Sequence, residues 1–376
     1  MPRILLVTND FPPTIGGIQS YLRDFVQCLD PADVVVFAST QDETAAAKFD
    51  ADQPYTVVRY PRRMMLPTPE LKRQMQELIR LHDIDVVWFG AAAPLAVLGG
   101  AAKQAGARKV VATTHGHEVG WSMLPGARAV LRRIGRNADV ITYISEYTLG
   151  RFRTAFGPGP QWVHLPSGVT AQDFPFQPSD EEKAAAKRHF GLKENHPVIV
   201  CVSRLVPRKG QDQLIRAMPS IRREVPSAQL LIIGRGRYEK TLRELADVYA
   251  PHTIITSAKD SAELSLALCA GDVFVMPVRT RGGGLDVEGL GIVFLEAQAA
   301  GIPVVAGDSG GAPETVTSES GTIIDGTLVD EVASASVRYL LDADLRARAG
   351  AAGRKNVEMH WSWDLLGTRL REVMCP

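Results

Sequence analysis

Short apolar segments alternate with stretches of helical periodicity along the chain. Between Ile18 and Leu29, apolar residues stand at positions 18, 21, 22, 25 and 29, which places them on one face of a helix. The apolar segments between such stretches are nearly continuous, as is typical of parallel strands covered on both faces. In the first half of the chain the pattern predicts strands at Ile4–Thr8, Val34–Ala38, Thr56–Arg59, Val86–Phe89, Val110–Thr114, Val140–Ile144 and Trp162–Leu165.

The alternation stops after Leu165 and begins again at Val198. The intervening segment includes Pro175, Pro178 and a charged run from Asp180 to Arg188, so we interpret it as a linker between two doubly wound α/β domains. In the second half the pattern predicts strands at Val198–Ser203, Gln229–Gly234, Thr253–Thr256, Val273–Met276 and Val304–Ala306, with helices at Gln211–Arg223, Tyr238–Tyr249, Ala262–Ala270, Ile292–Ala300, Val329–Val357 and Trp363–Val373.

The segment from Asp286 to Glu296 carries the sharpest chemical signal. Gly289 and Gly291 precede an apolar helix, whose first amide groups can hold a phosphate. Glu288 stands just before this helix, and Glu296 lies within its otherwise apolar sequence. Because a buried carboxylate is costly without a partner, sugar or ribose hydroxyls are candidate partners. The alternative for Glu296 is an exposed helix position.

Two cations bracket the turn after the strand predicted at Val198–Ser203. Arg204 supplies a planar guanidinium and Lys209 a point charge, a combination that suits a diphosphate. The alternative is a solvated basic loop. After the first strand, Gly16 and Gly17 form either a ligand-binding helix start or a tight turn, and they do not match the G-x-G-x-x-G dinucleotide fingerprint. A dehydrogenase or epimerase is therefore disfavoured.

A third polar group, Thr114–Glu118, follows the strand predicted at Val110–Thr114. His117 is its candidate site residue, although a structural histidine is equally consistent with the spacing. The H-x-H-E pattern has no third ligand at suitable spacing, so no metal site is predicted. Gly310–Glu314 is a further glycine-rich helix start, which forms either a ligand contact or a simple turn.

Charge is distributed unevenly along the chain. The 376 residues include 42 Lys and Arg and 42 Asp and Glu, and this balance excludes a uniformly basic nucleic-acid binder. Arg59–Arg80 and Trp121–Arg136 each interleave basic with apolar residues, which suits an anionic lipid surface; a solvated helix face is the alternative. The basic residues assigned to this surface are Arg62, Arg63, Lys72, Arg73, Arg128, Arg132, Arg133 and Arg136.

The cysteine pattern and one uncharged segment bear on location. Four widely separated cysteines, none in a C-x-x-C pair, indicate neither a disulfide framework nor a thiolate zinc site and fit a reducing cytoplasm. Val86–Ala102 is uncharged but contains three glycines and a proline, so we interpret it as a strand, a turn and a helix rather than a membrane span.

Together these motifs resemble the retaining GT-B glycosyltransferases of family 4. The resemblance covers essentially the whole chain and implies two Rossmann-like domains facing a central cleft: residues 1–168 bind the acceptor, residues 169–358 bind the nucleotide-sugar, and a helix within 359–376 packs back on the first domain. The matching segments are Gly16-Gly17, Ser203-Arg204-Leu205 with Lys209-Gly210, Leu231–Gly234, Glu288 to Glu296, Gly301–Val305 and Gly310–Glu314.

Three segments, Thr8–Pro13, Thr114–Pro125 and Thr280–Gly291, resemble more narrowly the actinobacterial phosphatidylinositol mannosyltransferases. This resemblance implies GDP-mannose as the donor and phosphatidylinositol monomannoside as the acceptor of a second, α-1,6-linked mannose. It also implies a cytoplasmic enzyme at the inner face of the plasma membrane, without an essential metal or a protein nucleophile. A UDP-sugar donor with a soluble acceptor is the main alternative, and a non-catalytic binding protein is another.

The resemblance also assigns roles to individual residues. Arg204 and Lys209 would bind the donor diphosphate, Glu296 the ribose hydroxyls, and His117 the donor sugar at the reacting centre. Glu288 would contact mannose and phosphate together with the backbone of Gly289, Leu290, Gly291 and Ile292. The other donor contacts are assigned to Gly16 and Gly17 near the phosphates, to Ser257 and Ala258 near the base, and to Gly234.

Overall fold

The computed structural model describes residues 2–376, and the chain divides into two units. The first unit comprises the chain up to Ser167 together with Trp363–Pro376, and the second comprises Gly168–Ser362. Each unit is built around its own parallel sheet, as the alternation of strands and helices predicts.

The first unit contains a seven-stranded parallel sheet in the order β3-β2-β1-β4-β5-β6-β7. All seven predicted strands occur, with ends displaced by at most one residue. The strands are β1 Ile4–Thr8, β2 Val34–Ser39, β3 Thr56–Tyr60, β4 Val86–Phe89, β5 Lys109–Thr113, β6 Val140–Tyr143 and β7 Gln161–His164; the helices are α1 Gly17–Gln27, α2 Glu43–Ala51, α3 Pro69–Leu81, α4 Gly99–Ala105, α5 Glu118–Met123, α6 Pro125–Asn137 and α7 Glu146–Phe156.

The second unit contains a six-stranded parallel sheet in the order β10-β9-β8-β11-β12-β13. Its strands are β8 Val198–Val202, β9 Gln229–Ile233, β10 Ile254–Thr256, β11 Val273–Met276, β12 Val304–Gly307 and β13 Gly321–Ile324. Its helices are α8 Asp180–His189, α9 Gln211–Glu224, α10 Glu239–Tyr249, α11 Ser261–Ala270, α12 Ile292–Ala299, α13 Val329–Leu341 and α14 Ala343–His360, and the chain ends with α15 Trp363–Met374.

Helix α15 belongs to the first unit although it follows the second in sequence. The ring of Trp363 packs edge-on against Phe25 of α1 at 5.0 Å between centroids. Arg371 donates a hydrogen bond to the carbonyl of Cys28 (2.9 Å), and Arg369 donates one to the carbonyl of His164 (3.0 Å). Apolar residues of α15 therefore share one core with α1, whereas α3 and α6 cover the opposite face of the sheet.

The charged run from Asp180 to Arg188, which we interpreted as part of a linker, lies in helix α8, so the prediction is wrong for this run. The division between the two units falls between Ser167 and Gly168, at the start of the interpreted segment. Ser179 and Glu182 form a reciprocal capping box at the start of α8, and the acidic first turn and basic last turn of α8 complement the helix dipole. Buried Asp272, which precedes β11, binds the Lys183 ammonium at 2.6 Å and accepts a hydrogen bond from the Val198 amide at 2.8 Å. This carboxylate fastens α8 to the sheet.

Several other elements differ from the prediction. The long helix predicted at Val329–Val357 is interrupted at Asp342, whose side chain caps α14 by accepting a hydrogen bond from the Leu345 amide. Strand β13 was not predicted, nor were helices α2 and α7. Val86–Ala102 forms β4, a short 3₁₀ turn and the start of α4. Within residues 2–376, no helix has the length and apolar character needed to span a membrane.

Replacement of Asp272 should destabilise the second unit. Asp272→Asn leaves Lys183 and the buried Lys187 without their carboxylate partner, and the loss of one partner from a buried ion pair costs about 3 kcal/mol. We expect the urea unfolding free energy to fall by about that amount. The exposed Asp247→Asn is the matched control and should change it by less than ~0.5 kcal/mol. Equal effects of the two substitutions would contradict this role.

Candidate active site

The polar residues predicted in the second half of the chain gather at the carboxyl edge of the six-stranded sheet. Beyond β8, a short turn at Pro207–Lys209 ends at Gly210, whose φ of 76° lies in the left-handed region. A Cβ at Gly210 would collide with the carbonyl oxygen of Pro277, which follows the neighbouring strand β11. Only glycine fits this position, and the tight turn places the buried Lys209 at the edge of the sheet.

A buried ion pair forms the centre of this cluster. The Lys209 Nζ lies 2.6 Å from Glu288 Oε2, and both side chains are less than a tenth exposed. Burial opposes ionisation of Glu288, but the charges of Lys209, Arg208 and Arg204 outweigh it and hold the pKa of this carboxyl below its usual value. Glu288 is therefore a carboxylate at neutral pH.

The backbone around Glu288 is fixed by a second glycine-rich segment. The Gly311 amide donates a hydrogen bond to the Glu288 carbonyl at 3.0 Å. Gly310 has a φ of 62° and passes so close to the same carbonyl that any side chain would collide with it. The predicted helix start at Gly310–Glu314 thus supports the loop that leads through Gly289, Leu290 and Gly291 into α12 at Ile292.

Glu296 lies in the second turn of α12 and is half-buried. Within residues 2–376 its carboxyl has no hydrogen-bond or ion-pair partner. Burial raises its pKa to about 7, so both protonation states are populated at neutral pH. Glu296 is therefore not the exposed helix position of the alternative, and an external partner for its carboxyl stays a prediction.

Arg204 is held by its backbone while its guanidinium remains exposed. Gln211 donates hydrogen bonds to the Arg204 carbonyl at 3.0 Å and to the Ser203 hydroxyl at 2.7 Å. Within the described chain no residue forms a hydrogen bond or ion pair with the guanidinium, although its charge contributes to the lowered pKa of Glu288. Gly234, Ser257 and Ala258 lie at the same sheet edge, after β9 and β10.

The segment Arg279–Gly284 is held at both ends. Arg279 forms a buried ion pair with Asp212 at 2.9 Å, and its amide donates to the Arg208 carbonyl at 2.9 Å. Arg281 pairs through its backbone with Asp286. These contacts tie the loop to the basic turn.

In the first unit, His117 lies beside a fully buried carboxylate. Glu118 accepts hydrogen bonds from the amides of His115 and Gly116, both at 3.1 Å, through Oε2. Its Oε1 lies 3.2 Å from His117 Nε2, and the His117 side chain is 39% exposed. Glu118 therefore fixes the turn after β5 through Oε2, while its buried Oε1 lies beside the exposed imidazole without forming a hydrogen bond to it.

His115 has a structural role. Its Nε2 lies 2.7 Å from the Gly90 carbonyl, and its ring packs edge-on against Tyr21 at 5.0 Å. Burial lowers the pKa of His115 to about 4, so the ring is neutral at pH 7 and its Nε2–H donates to the carbonyl. Of the two histidines in the motif, His117 is the exposed one.

The loop after β1 lies near His117. Asp10 accepts a hydrogen bond from Gln19 at 3.0 Å; burial raises the pKa of Asp10, and the nearby His117 partly offsets this. Gly16 precedes α1 and Gly17 begins it, with Gly17 exposed and no side-chain cap on the helix. The second position of the glycine pair therefore leaves its backbone open to a ligand.

The predicted basic residues of the first unit are exposed. Helices α3 and α6 pack on the same side of the sheet through Leu71, Met75, Leu131 and Ile134. Exposed apolar residues occur in the connections that lead into these two helices: Met64, Leu66, Met123 and Leu124. The basic residues of this surface are Arg62, Arg63, Lys72, Arg73, Arg128, Arg132, Arg133 and Arg136.

Two charged residues of the site were missed from the sequence. Glu118 was noted only as part of its motif, although a glutamate at the first position of a helix, beside a histidine, could have indicated a buried partner. Arg208 was passed over beside Lys209, because a basic neighbour suggests solvent exposure. Within residues 2–376, no group of three His, Cys, Asp or Glu side chains could hold a metal ion.

Comparison with known proteins decides the family. Residues 15–173 match Glycosyltransferase Family 4 and residues 182–356 match Glycosyl transferases group 1. A relative from Corynebacterium glutamicum is 56% identical over 373 residues, which cover 99% of this chain and 97% of the relative. The chain belongs to the family 4, group 1 glycosyltransferases. The Corynebacterium relative is named GDP-mannose-dependent monoacylated alpha-(1-6)-phosphatidylinositol monomannoside mannosyltransferase.

Other comparisons extend the same result. A Mycobacterium tuberculosis relative, named GDP-mannose-dependent alpha-(1-6)-phosphatidylinositol monomannoside mannosyltransferase, is 51% identical over 100% of this chain and 98% of its own. The structure of Anabaena Alr3699/HepE with UDP and glucose has a TM-score of 0.80 at 18% identity, covering 100% and 99% of the chains. The glycosyltransferase WaaG has a TM-score of 0.69 at 18% identity, with 99% of each chain covered. These solved structures establish the GT-B fold of the family 4 enzyme.

The unpaired carboxyl of Glu296 should reduce stability at alkaline pH. A carboxyl whose pKa is raised by folding costs stability above its unfolded value near 4.5, and the cost grows until the folded pKa of about 7. Glu296→Gln should therefore raise the thermal midpoint of the free enzyme by about 4 °C at pH 8 and leave it nearly unchanged at pH 4.5. The exposed Glu77→Gln serves as control, and a gain that is independent of pH would contradict the assignment.

Proposed function

We propose that this glycosyltransferase transfers mannose from GDP-mannose to phosphatidylinositol monomannoside and forms an α-(1-6) linkage. The observation that carries the proposal is the cationic cluster around Glu288, in a chain whose full-length relatives are named for that reaction. The cluster supplies charges for a nucleoside diphosphate, and the relatives' names supply the identity of the nucleotide, the sugar and the acceptor.

The donor is assigned to the carboxyl edge of the second sheet. Arg204 and Lys209 bind the diphosphate together with the first amide groups of α12, which begins at Ile292. Glu296 accepts hydrogen bonds from the ribose hydroxyls, and this gives its carboxyl the partner that it lacks. The remaining donor contacts are assigned to Gly16, Gly17, Gly234, Ser257, Ala258, Gly289, Leu290 and Gly291.

The chemistry follows from charge stabilisation and positioning. The bond between the anomeric carbon and the diphosphate breaks, and the acceptor hydroxyl forms the new bond on the same face of the sugar. Negative charge then develops on the leaving diphosphate, where Arg204, Lys209 and the helix start stabilise it in a fixed arrangement. These groups do the work of a bound metal, so we expect no divalent-metal requirement.

Glu288 and His117 are assigned to the mannose. Glu288 remains ionised and can accept hydrogen bonds from sugar hydroxyls. The buried Glu118 Oε1 lies 3.2 Å from His117 Nε2, and we assign the exposed His117 ring as a polar contact for the donor sugar at the reacting centre.

The acceptor is a lipid, and the exposed basic face of the first unit suits an anionic membrane. Arg128, Arg132 and Arg136 recur every fourth residue on α6, so they form a single charged stripe. The exposed Met123 and Leu124 precede this helix and can enter the interface between headgroups and acyl chains. We place the enzyme in the cytoplasm, peripherally bound to the inner face of the plasma membrane.

Loss of either cation should abolish transfer. Arg204→Ala and Lys209→Ala remove stabilisation of the leaving diphosphate, so the rate should fall by at least about 100-fold. The assay follows mannose transfer from GDP-mannose to phosphatidylinositol monomannoside, with UDP-sugars and soluble acceptors in parallel. The exposed Arg348→Ala is the control and should retain activity. Near-normal rates in both cation variants, or transfer only from a UDP-sugar to a soluble acceptor, would contradict the proposal.

Membrane binding should depend on charge and salt. Replacement of Arg128, Arg132 and Arg133 by Gln should reduce cosedimentation with vesicles that contain anionic phospholipid by about tenfold at low salt. Added salt should weaken binding of the unchanged enzyme. The control is a second triple variant, in which three exposed cations of the second unit are replaced by Gln: Lys240, Arg348 and Lys355. This variant should bind vesicles nearly as well as the unchanged enzyme. Equal losses in the two triple variants, or binding that does not change with salt, would argue for an ordinary solvated surface.

A further inference from the structure

Arg208 lies between two carboxylates without a close ion pair to either. Its Nε is 3.8 Å from Glu288 Oε2, and its Nη1 is 3.8 Å from Asp286 Oδ1. The side chain is 17% exposed. The Nε itself is buried, and among residues 2–376 it has no hydrogen-bond partner. A buried cationic donor without a partner is costly, so this arrangement needs an explanation.

The carboxylate oxygen closest to Arg208 Nε is the one that binds Lys209. In the free enzyme, Lys209 Nζ lies 2.6 Å from Glu288 Oε2 and forms an ion pair with it. The proposed function, however, requires the same ammonium to bind the donor diphosphate. When Lys209 turns toward a phosphate oxygen, its hold on Glu288 weakens. A buried carboxylate that loses its cation is strongly destabilised, and that cost would oppose donor binding.

We propose that Arg208 is a positioning residue that takes over Glu288 when the diphosphate draws Lys209 away. A movement of about 1 Å brings the Arg208 Nε from 3.8 Å to the distance of a charge-assisted hydrogen bond. The two cations thus exchange one carboxylate: Lys209 holds Glu288 in the free enzyme, and Arg208 holds it in the donor complex. This inference rests on the proposed donor site and adds a role for a residue that does not touch the donor.

The surroundings of Arg208 suit a small, directed movement. Its carbonyl accepts a hydrogen bond from the Arg279 amide at 2.9 Å, and Arg279 is itself fixed by Asp212. The backbone is therefore anchored while the guanidinium has only long contacts. Asp286 attracts the far end of the guanidinium, and this leaves Nε directed at Glu288.

The test is GDP binding by isothermal titration calorimetry to four proteins: the unchanged enzyme, Arg208→Gln, Glu288→Gln and the double variant. GDP is the probe because it lacks mannose, so loss of the sugar contact of Glu288 does not enter the comparison. Arg208→Gln should weaken GDP binding about tenfold, within the range for coupled residues of one ion-pair network. In the Glu288→Gln background, where no carboxylate has to be held, the same change should alter affinity less than about twofold.

Two further measurements distinguish this role from a structural one. Arg208→Lys retains the charge and should recover most of the GDP affinity. Guanosine lacks the diphosphate and leaves Lys209 on Glu288, so Arg208→Gln should not change guanosine binding; this comparison does not depend on the Glu288 variant folding. Equal losses of GDP affinity with and without Glu288, or no loss at all, would overturn the exchange. If the unchanged enzyme fails to bind GDP, the donor assignment fails first.

Discussion

The ion pair between Lys209 and Glu288 is the interaction on which the donor half of this enzyme depends. Both groups are buried, so each requires the other, and the surrounding backbone is shaped to bring them together. Gly210 permits the turn that carries Lys209, and Gly310 permits the close approach that fixes the carbonyl of Glu288. Gly210 and Gly310 therefore support the Lys209–Glu288 ion pair, because a side chain at either glycine would collide with neighbouring backbone.

Two glutamates eight residues apart have opposite electrostatic environments. Glu288 is surrounded by cations, which outweigh the effect of burial and keep it ionised. Glu296 has no such neighbours, and burial alone raises its pKa to about 7. This contrast motivates the proposal that the site receives a ligand with both phosphate and hydroxyl groups. The stability that Glu296 costs the free enzyme is consistent with a functional rather than a structural role.

Much of the fold could be predicted from the sequence, because buried parallel strands are continuous apolar runs and their ends are marked by polar residues. The exceptions have local causes. Helix α8 was missed because its polar composition resembles a linker, whereas its capping box and the contacts of Lys183 and Lys187 with Asp272 hold it in place. Strand β13 is only partly buried and short, so it lacks the apolar run that marked the other strands.

The site could be predicted in part. Arg204, Lys209, Glu288 and Glu296 stood out because cations, glycines and carboxylates follow strands or begin helices there. Arg208 could not be assigned, because its role depends on its burial and on its distance from Glu288, which lies far from it in sequence. Which charged residues are buried and paired depends on the folded structure, and the sequence alone does not show it.

The most direct test of the account is a crystal structure of this enzyme with GDP. We predict that the diphosphate lies at the start of α12, with Lys209 Nζ and the Arg204 guanidinium within hydrogen-bond distance of its oxygens and Glu296 bonded to the ribose hydroxyls. A complex in which Lys209 contacts only Glu288 and the diphosphate binds elsewhere would contradict the central claim.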